Sequence, residues 1–369
     1  MKNWVSAWFL VVVIGVGVSI PAQAIMPLQG LLLVAVDATT EDSVAPTQQR
    51  TVATVGALTE DTNRTAQDDD TMTAAQIVAR DGQMWFERMQ QVLQAQNFSV
   101  SLVHIQGQRT ELFRWLHGVS DDGQSLEILY SLNGPEVHIV RRNQRVSYFH
   151  PMMAPYSIRA NSLFGPIPLG FYNSFAELAD SYNVVAMGGA RVIDRPAVHV
   201  RLVPRDQERF GYSVWIDRES GMLLRVATVS PSGEILEQIH ITSMELSDEM
   251  NPDLLQVKTI GLPPLVRDDP SLNPVRHAWK KNWLPVGFKQ IRANHHQLPM
   301  TGIPADYFLY SDGMTRISIY VSEDPKASNS FAYEGLDSLY SHQYQNYTVT
   351  VVGRVPMSML QRIALSVRP

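Results

Sequence analysis

The chain has 369 residues, of which 45% are hydrophobic and 18% are charged, with no cysteine and a formal net charge of -6. This length allows about two domains with buried cores. The absence of cysteine excludes disulfides, a thiol nucleophile and cysteine-ligated metals, and the acidic balance argues against a protein that binds nucleic acid through its overall charge.

The first 24 residues have the pattern of a Sec-type signal peptide. Lys2 precedes an apolar stretch, and Ala22-Gln23-Ala24 has the Ala-x-Ala form of a cleavage site. An uncleaved membrane anchor is the alternative, because residues 31–36 are apolar again. The uninterrupted apolar stretch is shorter than the ~20 residues of a spanning helix. We therefore favour cleavage, which places the mature chain outside the cytoplasm.

Residues 25–72 form an acidic, threonine-rich segment. It holds eight acidic residues, two arginines and no aromatic residue. Such a composition buries too little apolar surface to offset the entropy lost on ordering, so we predict a disordered spacer. The run Asp68-Asp69-Asp70 does not indicate a calcium site, because it lacks the glycine turn and the distal glutamate of a calcium loop.

Residues 73–260 are predicted to form a large domain that begins with a helix. The apolar residues of this helix repeat at helical spacing and are Trp85, Met89, Val92 and Leu93. Strands follow, separated by turns such as Asp122-Gly123, and between them Ser174 caps a short helix that is predicted to continue to Tyr182. The predicted strands are 98–102, 110–116, 125–132, 136–142, 145–149, 197–203, 210–217, 222–230 and 234–246. The class is α+β, with an open antiparallel barrel packed on helices.

Residues 261–275 contain four prolines and mark the predicted linker. A smaller α+β domain is predicted for residues 276–369. Its expected strands are 287–296, 307–311, 315–321 and 347–354, and a last helix begins at Pro356.

No set of residues has the spacing of a catalytic or metal site. His295 and His296 are adjacent, so on a strand they point to opposite faces, and no third ligand follows at a metal-site spacing. The Ser-Gly pairs at 220–221 and 232–233 lack the G-x-S-x-G elbow of hydrolases. We therefore predict no enzymatic activity, no metal and no cofactor.

An apolar loop is expected at residues 151–171. A connection of this length and hydrophobicity is unusual between surface strands. It either covers one end of the sheet or forms a mobile lid over a lipid-sized cavity, and we adopt the lid as a hypothesis. The candidate gating residues are Met152, Met153, Tyr156, Leu163, Phe164 and Ile167.

Charge is divided unevenly between the two predicted domains. Residues 73–275 hold 17 basic and 22 acidic side chains, net -5, whereas residues 276–369 hold 10 and 6, net +4. The basic part either is simply solvated or docks an acidic partner or lipid phosphates.

Several stretches of this chain resemble the MucB/RseB family of periplasmic sigma-E regulatory proteins. In the large domain they are residues 132–141 (LNGPEVHIVR), 146–151 (VSYFHP), 204–212 (PRDQERFGY) and 215–225 (WIDRESGMLLR). In the small domain they are residues 283–288 (WLPVGF), 310–314 (YSDGM), 318–322 (SIYVS) and 351–356 (VVGRVP). Phe210 stands where the family looks to prefer tyrosine, and Arg354 where an acidic residue is more usual.

The resemblance implies a non-enzymatic periplasmic regulator. Its large domain would be like the lipoprotein carriers LolA and LolB, and its partner would be the periplasmic segment of a membrane-spanning anti-sigma factor, which it shields from proteolysis. Lipopolysaccharide or the acyl chains of mislocalised lipoprotein would displace it. The resembling stretches of the small domain supply the candidate partner-binding residues, which are Trp283, Phe288, Asp312 and Arg354. The resemblance implies no nucleic-acid partner, and self-association is left open.

Two other functions are compatible with the same residues. A periplasmic carrier of lipoprotein or lipid would use the same open barrel, but a minimal carrier lacks the C-terminal domain. An exported hydrolase is disfavoured, because no nucleophile, base or metal spacing is present.

Overall fold

The computed structural model describes residues 74–163, 165–206, 208–266, 273–297, 303–323 and 330–369. The predicted signal peptide and the predicted acidic spacer lie outside these ranges, as do residues 267–272 of the predicted linker. No helix in the described ranges is both long and apolar enough to cross a membrane.

The larger part, which we call the large-sheet domain (residues 74–266), consists of helices around one antiparallel sheet with eleven strands in the described residues. The helices are α1 (Ala74–Ala95), α2 (Phe175–Leu178) and α3 (Pro252–Thr259). The strands are β1 (Asn97–Gln106), β2 (Arg109–Val119), β3 (Ser125–Ser131), β4 (His138–Arg142), β5 (Arg145–His150), β6 (Met153–Arg159), β7 (Tyr182–Val192), β8 (Arg195–Pro204), β9 (Gly211–Asp217), β10 (Leu223–Val229) and β11 (Ile235–Ser247). They lie in the order β6-β5-β4-β3-β2-β1-β11-β10-β9-β8-β7, so the sheet stays open between β6 and β7.

The inner face of this sheet packs on α1 and forms the main core. Alternate residues of β1 are buried there, as the two-residue period of a strand requires. From α1 the core receives Phe86, Met89 and Leu93. The helix crosses β7 so closely that a Cβ on Gly82 would lie 2.7 Å from the backbone nitrogen of Ala186, and only glycine fits at this crossing.

The outer face carries a second, smaller core under α3. This helix begins where the Asn251 side chain accepts a hydrogen bond from the backbone N–H of Asp253. Its buried residues Leu254 and Val257 pack on the sheet residues Leu116, Leu126, Ile128 and Val140. Each face of β2, β3 and β4 therefore contacts a different helix or segment.

The remaining part, the small-sheet domain (residues 273–369), has its own sheet and helix. The strands are β12 (Lys280–Lys281), β13 (Lys289–Gln297), β14 (Pro304–Ser311), β15 (Arg316–Glu323), β16 (Phe331–Tyr333), β17 (Ser338–Tyr344), β18 (Tyr347–Gly353) and β19 (Val367–Arg368), and the helix is α4 (Met357–Ser366). The main sheet has the order β13-β14-β15-β18-β17-β16. The α4 residues Met359, Leu360 and Ile363 are buried against it.

The predicted fold class is confirmed: the chain is α+β, with a large open antiparallel sheet on helices and a smaller α+β part. The expected loop at residues 151–171 is wrong in its first half, because β6 pairs with β5 and places Tyr148 opposite Tyr156. Strand β7, helix α3 and strand β17 were not predicted. Helix α2, expected to continue to Tyr182, ends at Leu178 because Tyr182 already pairs with Pro204.

The first half of the predicted linker is attached to the open edge of β6. Ser157 donates its backbone N–H to the carbonyl of Pro264 at 2.9 Å and accepts from the N–H of Val266 at 2.8 Å. The hydroxyl of Ser157 also donates to the carbonyl of Pro263 at 2.7 Å. This segment therefore covers part of an otherwise unpaired sheet edge.

Candidate functional site

One buried arginine connects the two domains. Arg209, which is 1% exposed, lies just before β9 and donates from Nη1 to Oδ2 of Asp312 at 2.5 Å. It also donates from Nη2 to Asp206 at 2.6 Å and to the backbone carbonyl of Val286 at 2.8 Å. The ring of Phe288 lies 5.1 Å from the guanidinium carbon. A guanidinium can make all these contacts at once because it presents five donors in one plane.

Asp312 is the receiving group on the small-sheet domain. Its other oxygen accepts from the backbone N–H groups of Met314 and Thr315 at 3.0 and 2.8 Å, which folds the turn between β14 and β15. Burial raises the pKa of Asp312, and these N–H groups and Arg209 oppose the rise. A buried carboxylate with three such donors is suited to holding an ion pair in the interior.

The same turn inserts a side chain into the core of the large-sheet domain. Met314 is 3% exposed and belongs to the cluster around Phe86 and Phe171. A Cβ on Gly170 would lie 2.8 Å from its sulfur, and Asn173 donates to the carbonyl of Gly313 at 3.0 Å. The small-sheet domain therefore fills part of the interior of the large sheet.

A second polar network crosses between the domains. Arg354 donates to Asp337 of its own domain at 2.9 Å and to Glu237 of β11 at 3.3 Å. Glu237 accepts from Nε2 of His104 at 2.6 Å, and Nδ1 of His104 faces Glu111 at 3.2 Å. Burial alone lowers the pKa of His104, but its hydrogen bonds to Glu111 and Glu237 outweigh this and raise the pKa to about 9. His104 is therefore a cation at neutral pH.

Of the four candidate partner-binding residues, three lie at the boundary between the domains. Asp312 binds Arg209, Phe288 lies under the same guanidinium, and Arg354 binds Glu237. Trp283 lies farther out, with the guanidinium carbon of Arg362 3.9 Å from its ring. The boundary thus brings together residues that lie up to 117 positions apart in the sequence.

The candidate gating residues fall into two groups. Met152 and Met153 are 69% and 42% exposed at the start of β6, and the ring of Tyr156 stacks on Tyr148 at 5.1 Å. Leu163 and Ile167, in contrast, are 2% and 5% exposed and lie in the main core. Phe164 lies outside the described residues. We call the irregular segment of residues 160–168, apart from Phe164, the cap segment.

A charged cluster lies on the inner face of the large sheet. Glu127 and Arg141 are directly opposite each other on β3 and β4, are 1% and 7% exposed, and form a short ion pair. The buried ring of His117 stacks on Phe98, and burial lowers the pKa of His117. Tyr172, which follows the cap segment, lies beside Trp115 with a centroid separation of 6.2 Å.

The described residues contain no group of three or more histidine, aspartate or glutamate side chains placed to hold a metal. Asp306 accepts from Nδ1 of His295 at 2.8 Å and faces Nδ1 of His277 at 3.2 Å. It also accepts from the indole of Trp279 and two backbone N–H groups. The carboxylate of Asp306 therefore fixes the segment of residues 276–279, which leads into β12, against β14.

Two family comparisons divide the chain at the same place as its two sheets. The MucB/RseB N-terminal domain matches residues 81–261, and the MucB/RseB C-terminal domain matches residues 273–368. The chain belongs to the MucB/RseB family.

Individual members of the MucB/RseB family match most of the chain. The sigma-E factor regulatory protein RseB of Salmonella typhimurium is 30% identical over 284 residues, which are 76% of this chain and 89% of that protein. The sigma factor AlgU regulatory protein MucB of Pseudomonas aeruginosa is 27% identical over 301 residues, 79% of this chain and 92% of that one.

Solved MucB structures share the fold. The complex structure of Pseudomonas aeruginosa MucA/MucB gives a TM-score of 0.64 at 26% identity and covers 78% of this chain and 99% of that chain. A crystal structure of MucB gives 0.53 at 25% identity, covering 79% and 98%. These MucB/RseB relatives are regulatory proteins, so the chain is similar to proteins that act by binding.

Sequence reasoning on this MucB/RseB chain selected Asp312 and Arg354 but missed the residues of the large-sheet domain that they contact. Arg209 lies within the quoted stretch 204–212 and follows Asp206 at a spacing of three, a signal that could have indicated a local ion pair. His104 and Glu237 offered no comparable signal, because 133 positions separate them. Met314 was named only as the last residue of the resembling stretch 310–314.

Proposed function

We propose that this protein is a periplasmic negative regulator of a sigma-E-type envelope stress response. It binds the periplasmic segment of a transmembrane anti-sigma factor and shields that segment from regulated proteolysis. The observation that carries the proposal is family membership across both domains, together with the similarity to a MucB that was solved with MucA. The predicted signal peptide supports the compartment.

The arrangement of the two domains is proposed to be the partner-binding one. The TM-score is higher against the MucA/MucB complex than against the crystal structure of MucB, 0.64 against 0.53. In this arrangement Asp312 and Arg354 are occupied by Arg209 and Glu237. We therefore propose that these two candidates act on partner binding by fixing the domain arrangement, while Trp283 and Phe288 remain candidates for direct contact.

Release by a lipid-bearing signal is proposed to work by competition for the interior. That interior is filled by Leu163 and Ile167 of the cap segment and by Met314 of the small-sheet domain. An acyl chain that entered would have to displace these side chains, because protein interiors are close-packed. Displacing Met314 would strain the contacts between the domains. The lipid would then favour the state with lower anti-sigma affinity, which is the condition for any shift in population.

The binding function is tested by capture and protection. The purified protein is incubated with periplasmic fragments of the organism's anti-sigma factors, and cleavage of the fragments by an added protease is followed with and without it. We expect capture of one fragment and slower cleavage. Absence of both would contradict the regulator and favour the lipid or lipoprotein carrier.

A pair of variants links this test to the domain boundary. Arg209→Gln leaves Asp312 buried without its cation, so the captured fragment should be held at least about tenfold more weakly. Arg191→Gln is the matched control, because the Arg191–Asp194 pair is 72% and 84% exposed and such pairs contribute little. If both variants capture the fragment equally well, partner binding does not depend on the contacts between the domains.

A further inference from the structure

The outer face of the large sheet carries a row of basic and aromatic side chains. On β8 to β11, His199 stands opposite Trp215, and Arg225 stands opposite both Trp215 and His240. The ring of His199 stacks on the indole at 4.5 Å, and the guanidinium carbon of Arg225 lies 4.4 Å from the same indole. Arg201, two positions after His199, is exposed on the same face. We call these five residues the basic row. Neighbours of its members in the chain enter the main core on the other face, and they are Val200, Val214, Val226 and Ile239.

The positive charge of the basic row is not neutralised by a neighbouring carboxylate. Nη2 of Arg225 donates to the neutral amide of Gln238 at 2.6 Å, and Nε of Arg225 is buried without a partner in the described residues. Neither Arg201 nor Arg225 forms an ion pair within those ranges. Burial lowers the pKa of His199, and the two arginine charges lower it further. In a predicted domain of net charge -5, this face therefore stands out as one that attracts anions.

An acidic segment of the same chain begins beside this face. Residues 60–70 contain five acidic side chains and one arginine, and they precede α1 closely. Helix α1 crosses the backbone of β7 at Gly82, and farther along Arg88 donates to the carbonyl of Glu219, between β9 and β10, at 2.7 Å. Towards Ala74 the helix therefore leads outward past β7, which is the last strand of the sheet order. The basic row begins on β8, the next strand.

The acidic segment is long enough to reach the whole basic row. The path from Ala74 around the edge of β7 to β11 is on the order of 35 Å, from the helical rise and the strand spacing. Residues 60–73 span up to about 45 Å when extended. A segment attached to the sheet has an effective concentration in the millimolar range. Weak electrostatic contacts are therefore sufficient, which favours this segment over a separate anionic molecule as the occupant.

We propose that residues 60–70 dock on the basic row. Their carboxylates accept hydrogen bonds from the guanidinium groups of Arg201 and Arg225, which are stronger than bonds between neutral groups. The segment then covers the outer face of the large sheet and competes there with other anions. It acts as an intramolecular ligand in addition to a spacer. The proposal is independent of the proposed regulatory function, so its failure would leave that function untouched.

The test measures the distance between the acidic segment and the far end of the basic row. The chain has no cysteine, so Thr62→Cys with Ser243→Cys places one spin label in the segment and one at an exposed position of β11. Distances are measured by pulsed electron paramagnetic resonance at about 0.02 M and about 0.5 M NaCl, where charges are screened beyond roughly 20 Å and 4 Å. At low salt we expect a population with labels less than about 30 Å apart, and at high salt at least a twofold loss of it.

Variants of the basic row locate the contact. In the labelled chain, Arg201→Gln with Arg225→Gln should reduce the short-distance population at low salt at least about twofold. Arg191→Gln with Arg218→Gln is the matched control, because it removes the same charge at two exposed positions outside the row, and it should retain this population. Equal distance distributions in the two double variants would overturn the proposal, as would a distribution that does not change with salt.

A variant of the acidic segment tests the same contact if the half-buried Arg225 cannot be replaced without unfolding. Asp68→Asn with Asp69→Asn and Asp70→Asn leaves every described residue intact and should also reduce the short-distance population at least about twofold. An unchanged population in this triple variant would overturn the proposal. Binding to phosphatidylglycerol vesicles is measured in parallel. Vesicle binding that the row variant loses, while its label distances stay unchanged, would make a membrane surface the occupant and would equally overturn it.

Discussion

At the scale of single residues, burial decides which ion pairs matter. Arg209 and Asp312 are both about 1% exposed, so water screens their attraction little and each is costly to leave alone. The pair of Arg191 and Asp194 is almost fully exposed and contributes little. The charged residues that hold this molecule together are thus a small subset of those that the sequence displays.

The network at Glu237 should make stability depend on pH in the alkaline range. The pKa of His104 is raised to about 9 in the folded protein, above its ordinary value near 6.5. Its contribution to stability is therefore fully present below pH 6.5 and is lost as the pH rises to about 9 and beyond. We expect the melting temperature of the wild type to exceed that of His104→Gln at pH 6, and the two to converge by pH 10.

A neighbouring histidine supplies the control for this pH series. His240 lies on β11 three residues after Glu237, on the opposite face of the strand, and burial lowers its pKa. The melting temperature of His240→Gln should therefore follow the wild type through the alkaline range. A difference between wild type and His104→Gln that stays constant from pH 6 to pH 10 would contradict the ionised network.

At the scale of elements, the region that was expected to be a single loop consists of strand β6 and the irregular cap segment. Strand β6 is fixed by pairing with β5 and by the bridge from Ser157 to Leu265. The cap segment is irregular in its described residues and is held mainly by Leu163 and Ile167. Any opening of the interior is therefore expected in the cap segment, since local opening follows the regions with fewest fixed contacts.

Weakening the cap should make the interior more accessible to lipid. Ile167→Ala removes buried apolar contacts, and comparable core truncations cost about 2–5 kcal/mol. A ligand that binds only the open state has a lower apparent affinity when most molecules are closed. We therefore expect an acyl-chain probe such as N-methyldodecanamide to bind Ile167→Ala at least about fivefold more tightly than the wild type. Leu255→Ala, at a 51% exposed position of α3, is the control. Weaker or unchanged lipid binding by Ile167→Ala would argue against the cap as the entrance.

At the scale of the whole molecule, much of the charge asymmetry is used within the chain. The acidic large-sheet domain offers Glu237 and Glu208 to Arg354 and Arg362 of the basic small-sheet domain. In the pair of Arg209 and Asp312, by contrast, the large-sheet domain contributes the arginine and the small-sheet domain the aspartate. The opposite net charges of the two domains are therefore weaker evidence for an external charged partner than they were in the sequence alone.

Locking the two domains together should block release by lipid. A Cβ on Gly287 would lie 3.5 Å from that of Ser181, within the range of about 3.5–4.5 Å that a disulfide requires. The chain has no other cysteine, so Ser181→Cys with Gly287→Cys can form only this bridge. The oxidised variant should capture the anti-sigma fragment and retain it when lipid is added.

The reduced form of the same double variant is the control. Gly287 has a φ of +87°, which strains a cysteine there, but the strain is the same with and without the bridge. The reduced protein should release the fragment on addition of lipid. Release that is equally fast from the oxidised form would show that the domains need not move apart.

The sequence by itself determined the local elements. The stripe of α1, the alternation of most strands, the cap at Ser174 and the start of α4 all depend on residues a few positions apart, whose spacing directly reflects helix and strand geometry. The resembling stretches also indicated the family, which the matches over residues 81–261 and 273–368 confirm.

Only the tertiary structure decided how these elements work together. Strand β6 depends on pairing with the segment after Leu262, Met314 enters a core formed by another domain, and Arg209 meets Asp312 across 103 positions. Local spacing carries no record of such contacts, because they arise when distant segments are brought together by burial of apolar surface. The candidate site therefore lies where two domains meet, at residues whose importance only their surroundings reveal.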